Sequence, residues 1–319
     1  MTLKELLRNK ILSGSEEEFS ILEYKVNYSK MYTTLRDLLD GELKLYSMAH
    51  GAVLDQGITY KNGYVDKMHF MYANNEDISE KVYKLQQTIF KLLASVDPKM
   101  TQLEKALYIH DWLMENTYYK NDGNMGYYPV TVLLNGYGVC DAYTTAYNYI
   151  LQLLGIEVSY VCSSNHKWTA IKIDGKWYHI DATWDDHSDK VSFDHEFFMI
   201  GDSKLKSGKG LSRKHAPTYY ATGDAVNNKP FENNTEFDDW YVHKVQNKMY
   251  YDSGYWYYIE DNCVVKNDIK GTCRQVLIDA SKLTKPVKIV SVVNGELTVS
   301  VENTKVCTKT DTQQIAKLL

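Results

Sequence analysis

Apolar positions in the first half of the chain recur with the period of an α-helix. This spacing predicts four helices, near residues 2–12, over 78–96, over 101–119 and from about 140 to 154. Thr101 and Glu104 have the spacing of a capping box at the start of the third helix. Gly155 follows the fourth helix, at the position where a glycine commonly ends one.

After Gly155 the apolar positions alternate with polar ones, which is typical of β-strands. Three such runs read IEVSYVC, HKWTAIKI and KWYHIDATW. The pair Asp174-Gly175 separates the last two runs, and Asp-Gly between alternating runs favours a two-residue β-hairpin turn.

The pattern divides the chain into four parts. We predict an N-terminal mixed α/β segment at residues 1–95 and a central α+β core at 96–205. A linker or long surface connection at 206–238, rich in Gly, Lys, Asn, Asp and Pro, then leads to a C-terminal β domain at 239–319. Two Gly-led units, starting at Gly254 and Gly295, form a faint repeat with an offset of 41, which is near the period of a propeller blade. A small antiparallel β domain with ordinary hairpins is the favoured interpretation.

Composition narrows the classes of function. The chain has 319 residues, is 44% hydrophobic and carries a net charge of −5. This net charge does not indicate the broad basic surface that is typical of nucleic-acid binding. The sequence contains no run of 18 apolar residues, so it predicts no membrane span. The N-terminus lacks the apolar stretch of a signal peptide, so we expect an extracellular or cell-surface protein only if such a signal was removed, and otherwise a cytoplasmic one. The five cysteines are odd in number, which predicts at least one free thiol.

The predicted hairpin places a histidine and an aspartate side by side. A two-residue turn at Asp174-Gly175 sets Trp168 opposite Asp181. Residues two apart along a strand share a face, so His166 and Asp181 become diagonal neighbours on one face. An imidazole and a carboxylate are therefore expected to meet there.

Cys140 offers a third group, at the N-terminus of the fourth predicted helix. The helix dipole and the unpaired N–H groups favour a thiolate there, and these N–H groups can also bind an oxyanion. An imidazole would activate the thiol and a carboxylate would orient the imidazole. Alternatively, the cysteine is a small core residue. His110, on an apolar helical stripe, is expected to be a hydrogen-bonded core histidine.

Acidic residues cluster in DATWDDHSD, at positions 181, 185, 186 and 189. Calcium is one interpretation, but the glycine turn and regular spacing of a known calcium loop are missing, so we expect a solvated acidic turn. Cys162, His166 and His179 could in principle hold zinc, but their spacing matches no standard finger. The sequence therefore predicts no metal and no cofactor.

Two long segments, GYGVCDAYTTAYNYILQLLGIEVSYV and HKWTAIKIDGKWYHIDATWDD, closely resemble the transglutaminase-like superfamily of papain-type folds, especially its bacterial secreted or surface members. IHDWL at 109–113 and FFMIGD at 197–202 resemble the flanking segments of that family, so the likeness covers roughly residues 100–205. It implies an α+β, papain-like transglutaminase core, in which a helix bearing the cysteine packs on an antiparallel sheet bearing His and Asp, followed by an all-β domain.

The resemblance implies Cys140 as nucleophile, His166 as base and Asp181 as the residue that orients it. Asp141-Ala142 stands where the family commonly has Gln-Gly, which places a second negative group beside the thiolate. Thr169 stands where an Asn is frequent. The triad itself is unaffected by these departures.

The expected function is cysteine-dependent acyl transfer on peptide or side-chain amides through a thioester. Hydrolysis, as in a peptidase or amidase, is slightly favoured over transfer to an amine, as in a transglutaminase. The alternative is an idle triad in a surface or cell-wall module that binds glycans or proteins through its aromatic β tail. The expected partners are accordingly a protein or peptide substrate and a wall or surface glycan contacted by the C-terminal β domain.

Overall fold

The structure is a computed structural model of the chain. It describes residues 1–41, 58–70, 78–121, 129–187, 192–221, 231–301 and 304–309. Among these residues, no helix combines the length and the apolar character that a membrane span requires.

The N-terminal part is a small α/β unit with its own apolar cluster. Its elements, in order, are α1 (Leu3–Ser13), β1 (Phe19–Ser20), a 3-10 turn (Leu22–Tyr24), α2 (Tyr28–Gly41), β2 (Tyr60–Lys61), β3 (Tyr64–Val65) and β4 (Lys67–Met68). Thr2 and Glu5 form a capping box at the start of α1. The buried side chains of Leu7, Met31 and Phe70 belong to the cluster that joins the two helices to the β1–β4 pair.

Helices form one layer of the central core. They are α3 (Ile78–Ser95), α4 (Gln102–Asn116), α5 (Pro129–Asn135) and α6 (Cys140–Leu153), with the short parallel strands β5 (Tyr118–Tyr119) and β6 (Tyr137–Gly138) between them. Leu85 and Leu92 of α3 are buried in this core, so α3 packs with the helices that follow it. The central core therefore begins one helix before residue 96, where the sequence analysis placed its start.

Two helix ends have the structure that the sequence predicts: the N-terminus of α4 and the C-terminus of α6. The Thr101 hydroxyl accepts the Glu104 N–H, and the Glu104 carboxylate accepts the Thr101 N–H, so the capping box of α4 is confirmed. Beyond α6, Gly155 takes a φ of 75°. The next N–H, of Ile156, donates to the Leu151 carbonyl and closes the helix end.

A five-stranded antiparallel sheet forms the second layer of the core. Its elements are β7 (Val158–Cys162), β8 (Lys167–Ile173), β9 (Lys176–Ile180), α7 (Ala182–Asp185), β10 (Phe198–Ile200), α8 (Asp202–Ser207) and β11 (Tyr219–Ala221), with strand order β10-β9-β8-β7-β11. α6 packs against β8, at the centre of this sheet. The helix that begins at the cysteine therefore lies on the sheet that leads to His166 and Asp181, and the α+β class is confirmed.

The turn between β8 and β9 has the predicted two-residue form. Asp174 and Gly175 have φ values of 50° and 79°, as a type I′ turn requires. Ile173 pairs with Lys176, and the same register runs along the whole ladder. The register derived from the sequence is thus confirmed.

The segment predicted as a linker, residues 206–238, contributes more structure than expected. β11 pairs with β7 as an edge strand of the sheet, and the side chains of His215 and Phe231 are buried. A three-residue strand is too short to produce an alternating pattern, and its polar surroundings conceal it. Pairing with the preformed edge of the sheet determines its structure.

The C-terminal part is built from two antiparallel sheets. After a 3-10 turn (Tyr241–Lys244), four strands form the first sheet and three the second: β12 (Tyr250–Asp252), β13 (Tyr255–Glu260), β14 (Cys263–Asn267), β15 (Gln275–Asp279), β16 (Val287–Val293), β17 (Glu296–Val301) and β18 (Thr304–Lys309). Gly254 and Gly295 are the second residues of two hairpin turns, each after a residue of positive φ. The faint repeat therefore consists of ordinary hairpins, as favoured from the sequence.

The first of these sheets shares a hydrophobic core with the helices. Trp240, Val242 and Trp256 are buried in the same cluster as the helical layer. The Met249 N–H also donates to the Asp111 carboxylate at 2.7 Å. The C-terminal β part is therefore packed into the core along the face that carries Asp111.

Deletion of residues 239–319 is expected to abolish cooperative unfolding. The deletion removes several large buried side chains from the central cluster, and truncating even one such residue costs about 3–5 kcal/mol. A whole domain is commonly stable by only about 5–15 kcal/mol. Urea unfolding followed by tryptophan fluorescence measures the effect. Deletion of residues 304–319 is the control, because β18 is an edge strand of the second sheet and the central cluster is built from residues that precede it. A cooperative transition in the 1–238 fragment would contradict the expectation.

Candidate active site

Cys140 is the first residue of a fourteen-residue helix, α6. The preceding residue, Val139, is extended and makes no side-chain capping bond. The first-turn N–H groups of a helix have no carbonyl partner within the helix. These groups, and the positive end of the helix dipole, therefore lie at the end of α6 that carries the cysteine. Cys140 is partly exposed. It is therefore not the buried core residue of the alternative interpretation.

His166 directly precedes β8 and Asp181 directly follows β9, so both residues lie at the open end of the hairpin, opposite its turn. The Nε2–H of His166 donates to Oδ2 of Asp181 at 2.6 Å. The other carboxylate oxygen of Asp181 accepts the backbone N–H groups of Thr183 and Trp184 at 3.1 and 3.2 Å, so Asp181 also caps α7. The imidazole stacks on the Trp184 ring, with centroids 4.9 Å apart. Both the carboxylate and the ring are thereby held in fixed orientations.

The Cys140 side chain lies close enough to the His166 ring to influence its protonation. Burial disfavours the charged ring, but the Asp181 carboxylate and the thiol outweigh it and raise the pKa of His166 from 6.5 to about 10. Burial likewise disfavours the carboxylate, yet His166 and His215 lower the pKa of Asp181 below its usual range. The structure thus brings all three predicted residues together, with a cationic imidazole between a sulfur and a carboxylate.

The second negative group expected beside the sulfur, Asp141, is paired. Its carboxylate accepts a hydrogen bond from the Lys167 ammonium group at 2.7 Å, and both side chains are largely buried. Lys167 follows His166 in the sequence, so this ion pair ties the start of α6 to the start of β8. The negative charge of Asp141 is therefore offset by the cation directly beside it.

One residue at the site, His215, was missed by the sequence analysis. Its Nε2–H donates to Oδ2 of Asp181 at 2.7 Å, on the same oxygen that His166 contacts. The ring is buried against Trp184 and Trp168, at centroid distances of 3.9 and 4.6 Å. A single histidine within a polar stretch, LSRKHAPT, has no spacing pattern that could identify it.

Behind the site lies a second, fully buried group of charged residues. His110 donates to Asp111 at 3.2 Å and to Asp185 at 3.1 Å. The His195 ring contacts the Asp111 carboxylate through Nε2 at 2.8 Å and the Val245 carbonyl through Nδ1 at 2.9 Å. Both rings thus have polar partners at both nitrogens. His110 is a hydrogen-bonded core histidine, as the sequence predicted.

The expectation of a solvated acidic turn at 181–189 is wrong. Asp181, Asp185 and Asp186 are all buried. Each accepts hydrogen bonds from neighbouring groups, and the Tyr143 hydroxyl donates to Asp186 at 2.5 Å. Burial is tolerated because each carboxylate has a donor partner supplied by a different element. Asp189 lies outside the described residues.

Two groups of side chains place potential metal-ligating atoms within 4.8 Å of one another in the described part of the chain: His110, Asp111 and His195, and His166, Asp181 and His215. Cys162 and His179, which were considered as zinc ligands, belong to neither group. His179 instead accepts the Trp168 indole N–H at 3.0 Å and contacts Asp202 at 3.3 Å.

Comparison with known proteins agrees with this geometry. Residues 91–182 match the family model of the transglutaminase-like superfamily. This segment contains Cys140, His166 and Asp181, so the chain carries a transglutaminase-like core at residues 91–182. No protein with a curated description matches the chain.

Several solved structures share weak similarity with the chain. One is the crystal structure of a TGase, 15% identical over 50% of this chain and 48% of its own, with a TM-score of 0.29. A candidate protease from Parabacteroides distasonis is 14% identical over 41% of this chain and 36% of its own, with a TM-score of 0.26. A candidate cysteine protease from Cytophaga hutchinsonii is 16% identical over 41% and 63%, with a TM-score of 0.24. In each case the match spans less than two thirds of the other protein.

Proposed function

We propose that the protein is a cysteine-dependent acyltransferase that acts on peptide or side-chain amides through a thioester, with water as the favoured acceptor. The observation that carries the proposal is the position of His166, whose Nε2–H donates to the Asp181 carboxylate at 2.6 Å and whose protonation the nearby Cys140 side chain also influences. A nucleophile, a base and an orienting group within hydrogen-bond reach are the arrangement that covalent acyl transfer requires.

In the proposed first step the Cys140 thiolate attacks the amide carbonyl carbon. The carbonyl oxygen becomes an oxyanion, which the N–H groups at the start of α6 are placed to stabilise. His166 gives its proton to the leaving nitrogen as the C–N bond breaks. The products of this step are a free amine or ammonia and a thioester on Cys140.

In the second step His166, now neutral, takes a proton from the acceptor. Water then attacks the thioester, the C–S bond breaks, and a carboxylic acid is released with the thiolate restored. An amine acceptor would follow the same course and give a new amide. Asp181 keeps the His166 ring oriented in both steps and stabilises its charged form.

The alternative, an idle triad in a module that binds glycans through an aromatic β tail, finds less support. The aromatic side chains of β13, Trp256, Tyr257 and Tyr258, are buried in the protein. A stacking surface for sugars would need such rings to be exposed. Tyr255 is the partly exposed ring of that strand.

The proposal predicts amide turnover that depends on Cys140 and His166. A mixed peptide library is incubated with the protein in ¹⁸O water and, separately, with an added fluorescent primary amine, and the products are identified by mass spectrometry. His166→Ala is expected to slow turnover by about 10²–10⁴-fold, because it removes the proton carrier. Cys140→Ala is expected to show no acyl-enzyme at all.

Incorporation of ¹⁸O into new carboxyl groups would support hydrolysis, and incorporation of the amine would support transfer. His187→Ala is the matched control, because His187 is an exposed histidine bonded to Asp194 away from the site. An intact library with no thioester in the quenched protein would overturn the proposal.

A further inference from the structure

We propose that His215 is a positioning residue of the site: it holds the Asp181 carboxylate in the rotation that presents it to His166. This inference rests on the proposed function of the Cys140 site. It assigns a role to a residue that lies beyond the family-matched segment 91–182, in the stretch of chain that follows the core.

The contacts of Asp181 show what His215 contributes. Oδ1 accepts two backbone N–H groups, and Oδ2 accepts one N–H from each of two imidazoles, at 2.6 Å from His166 and 2.7 Å from His215. The carboxylate therefore has four donors, placed on both oxygens. Rotation of the carboxylate away from His166 would also break its bond to His215.

The protonation state of His215 follows from its surroundings. Nε2 carries a proton because it donates to a carboxylate, whereas Nδ1 is buried and has no hydrogen-bond partner among the residues that the structure describes. An unpartnered lone pair is less costly to bury than an unpartnered N–H, so the ring is the neutral Nε2–H tautomer. Burial lowers the pKa of His215 despite the nearby Asp181, and His166 and Arg213 act in the same direction as burial.

This division of charge suits a positioning role. His166, whose ring centroid lies 5.9 Å from that of His215, carries the positive charge. A neutral His215 can donate a hydrogen bond to Asp181 and still leave the negative charge of the carboxylate to pair with the His166 cation. The tryptophans Trp168 and Trp184 flank both imidazoles, so the two rings and the carboxylate form one packed unit.

His215 is itself fixed by the segment after the core. Its backbone N–H donates to the Leu205 carbonyl, at the end of α8. Four residues later the chain enters β11, which pairs with β7 at the edge of the sheet. The stretch that the sequence predicted as a linker therefore carries a group that completes the surroundings of Asp181.

Two substitutions separate positioning from simple packing. His215→Phe keeps an aromatic ring of similar size but removes the N–H. His215→Gln loses the ring but keeps an amide N–H at a similar distance from the backbone. A positioning role predicts that the Gln variant behaves like the wild type and the Phe variant does not. A packing role predicts the reverse.

The measurement is the rate of alkylation of Cys140 by iodoacetamide between pH 5 and 11, followed by peptide mass spectrometry. In the wild type we expect a change in rate near pH 10, where His166 loses its proton. In His215→Phe the Asp181 carboxylate is free to turn away, so this change should move down by about one pH unit. In His215→Gln it should stay at the wild-type position.

The remaining outcomes overturn the inference. A wild-type profile in the Phe variant together with a shifted profile in the Gln variant would show that packing of the ring matters and that the N–H of His215 is dispensable. An equal shift in both variants would show that a donated N–H at this position is not enough to hold Asp181. If the wild-type profile shows no change that His166→Ala removes, the proposed function fails and this inference fails with it. A His166-dependent profile that is identical in wild type and His215→Phe would refute the role of His215 alone.

Discussion

Brief exposure of the native protein to iodoacetamide is expected to modify Cys140 about tenfold faster than any of the other four cysteines, because only a few per cent of an ordinary thiol is thiolate near neutral pH. Access alone would give the opposite order, since Cys273 and Cys307 are exposed whereas Cys140 is only partly so. The advantage of Cys140 has to come from the charged His166 ring beside it and from the start of α6.

Two variants test where this reactivity arises. His166→Ala should slow the alkylation of Cys140 to the level of the exposed cysteines, because it removes the cation that stabilises the thiolate. Asp181→Asn should slow it less, since the imidazole stays in place with a looser orientation. Peptide mapping after timed quenching gives the five rates in one experiment. Equal labelling of all five cysteines, or an unchanged rate in His166→Ala, would show that the thiol is not activated.

The second large effect concerns stability rather than reactivity. His110→Leu is expected to lower the free energy of unfolding by about 3–5 kcal/mol, because removing one partner of a buried ion pair leaves uncompensated charge in the core. Asp111 and Asp185 would both lose a donor. His187→Ala is the matched control, since its bond to Asp194 is exposed and such pairs contribute about 0–1 kcal/mol.

The pH dependence of stability gives His110 a distinct signature. Burial opposes its charge, but Asp111 and Asp185 raise its pKa from 6.5 to about 9. A raised pKa means that the stabilisation is fully present below about pH 6.5 and is lost as the pH rises through about 9. Urea unfolding at pH 6.5 and pH 9.5 should therefore show a larger decline in the wild type than in His110→Leu, where the remaining decline comes from His166, whose pKa is raised to about 10. An equal decline in both proteins would contradict this assignment.

Asp185 acts in a different range of pH. Burial raises the pKa of its carboxyl from 3.8 to about 6, against the influence of His110. Its contribution is thus present below about pH 3.8 and lost through about pH 6, below the range in which His110 loses its proton.

The parts of the site that local rules control were predictable from the sequence. The Asp174-Gly175 turn sets the register of β8 and β9, and that register alone brings His166 to Asp181. The helix start at Cys140 follows from the change in pattern around it. Each of these inferences uses residues close together in the sequence, where geometry leaves few alternatives.

The parts that failed depend on contacts between distant segments. His215 reaches Asp181 across 34 positions of sequence, from a polar stretch without any periodic pattern. The aspartates 185 and 186 read as surface residues because a buried carboxylate cannot be recognised until its donors are known. Those donors come from α4, α6 and the loop before β10. Tertiary packing, rather than propensity, decides both cases.

The two halves of the site are assembled by different kinds of folding event. The β8–β9 hairpin closes over a short loop and brings His166 and Asp181 together by local pairing. Cys140 joins them only when α6 docks on the sheet. A nascent or partly unfolded chain can therefore carry the paired histidine and aspartate while its thiol stays inert. The proposed activation of the cysteine is therefore a property of the completed tertiary structure, and a chain in which α6 is undocked lacks it.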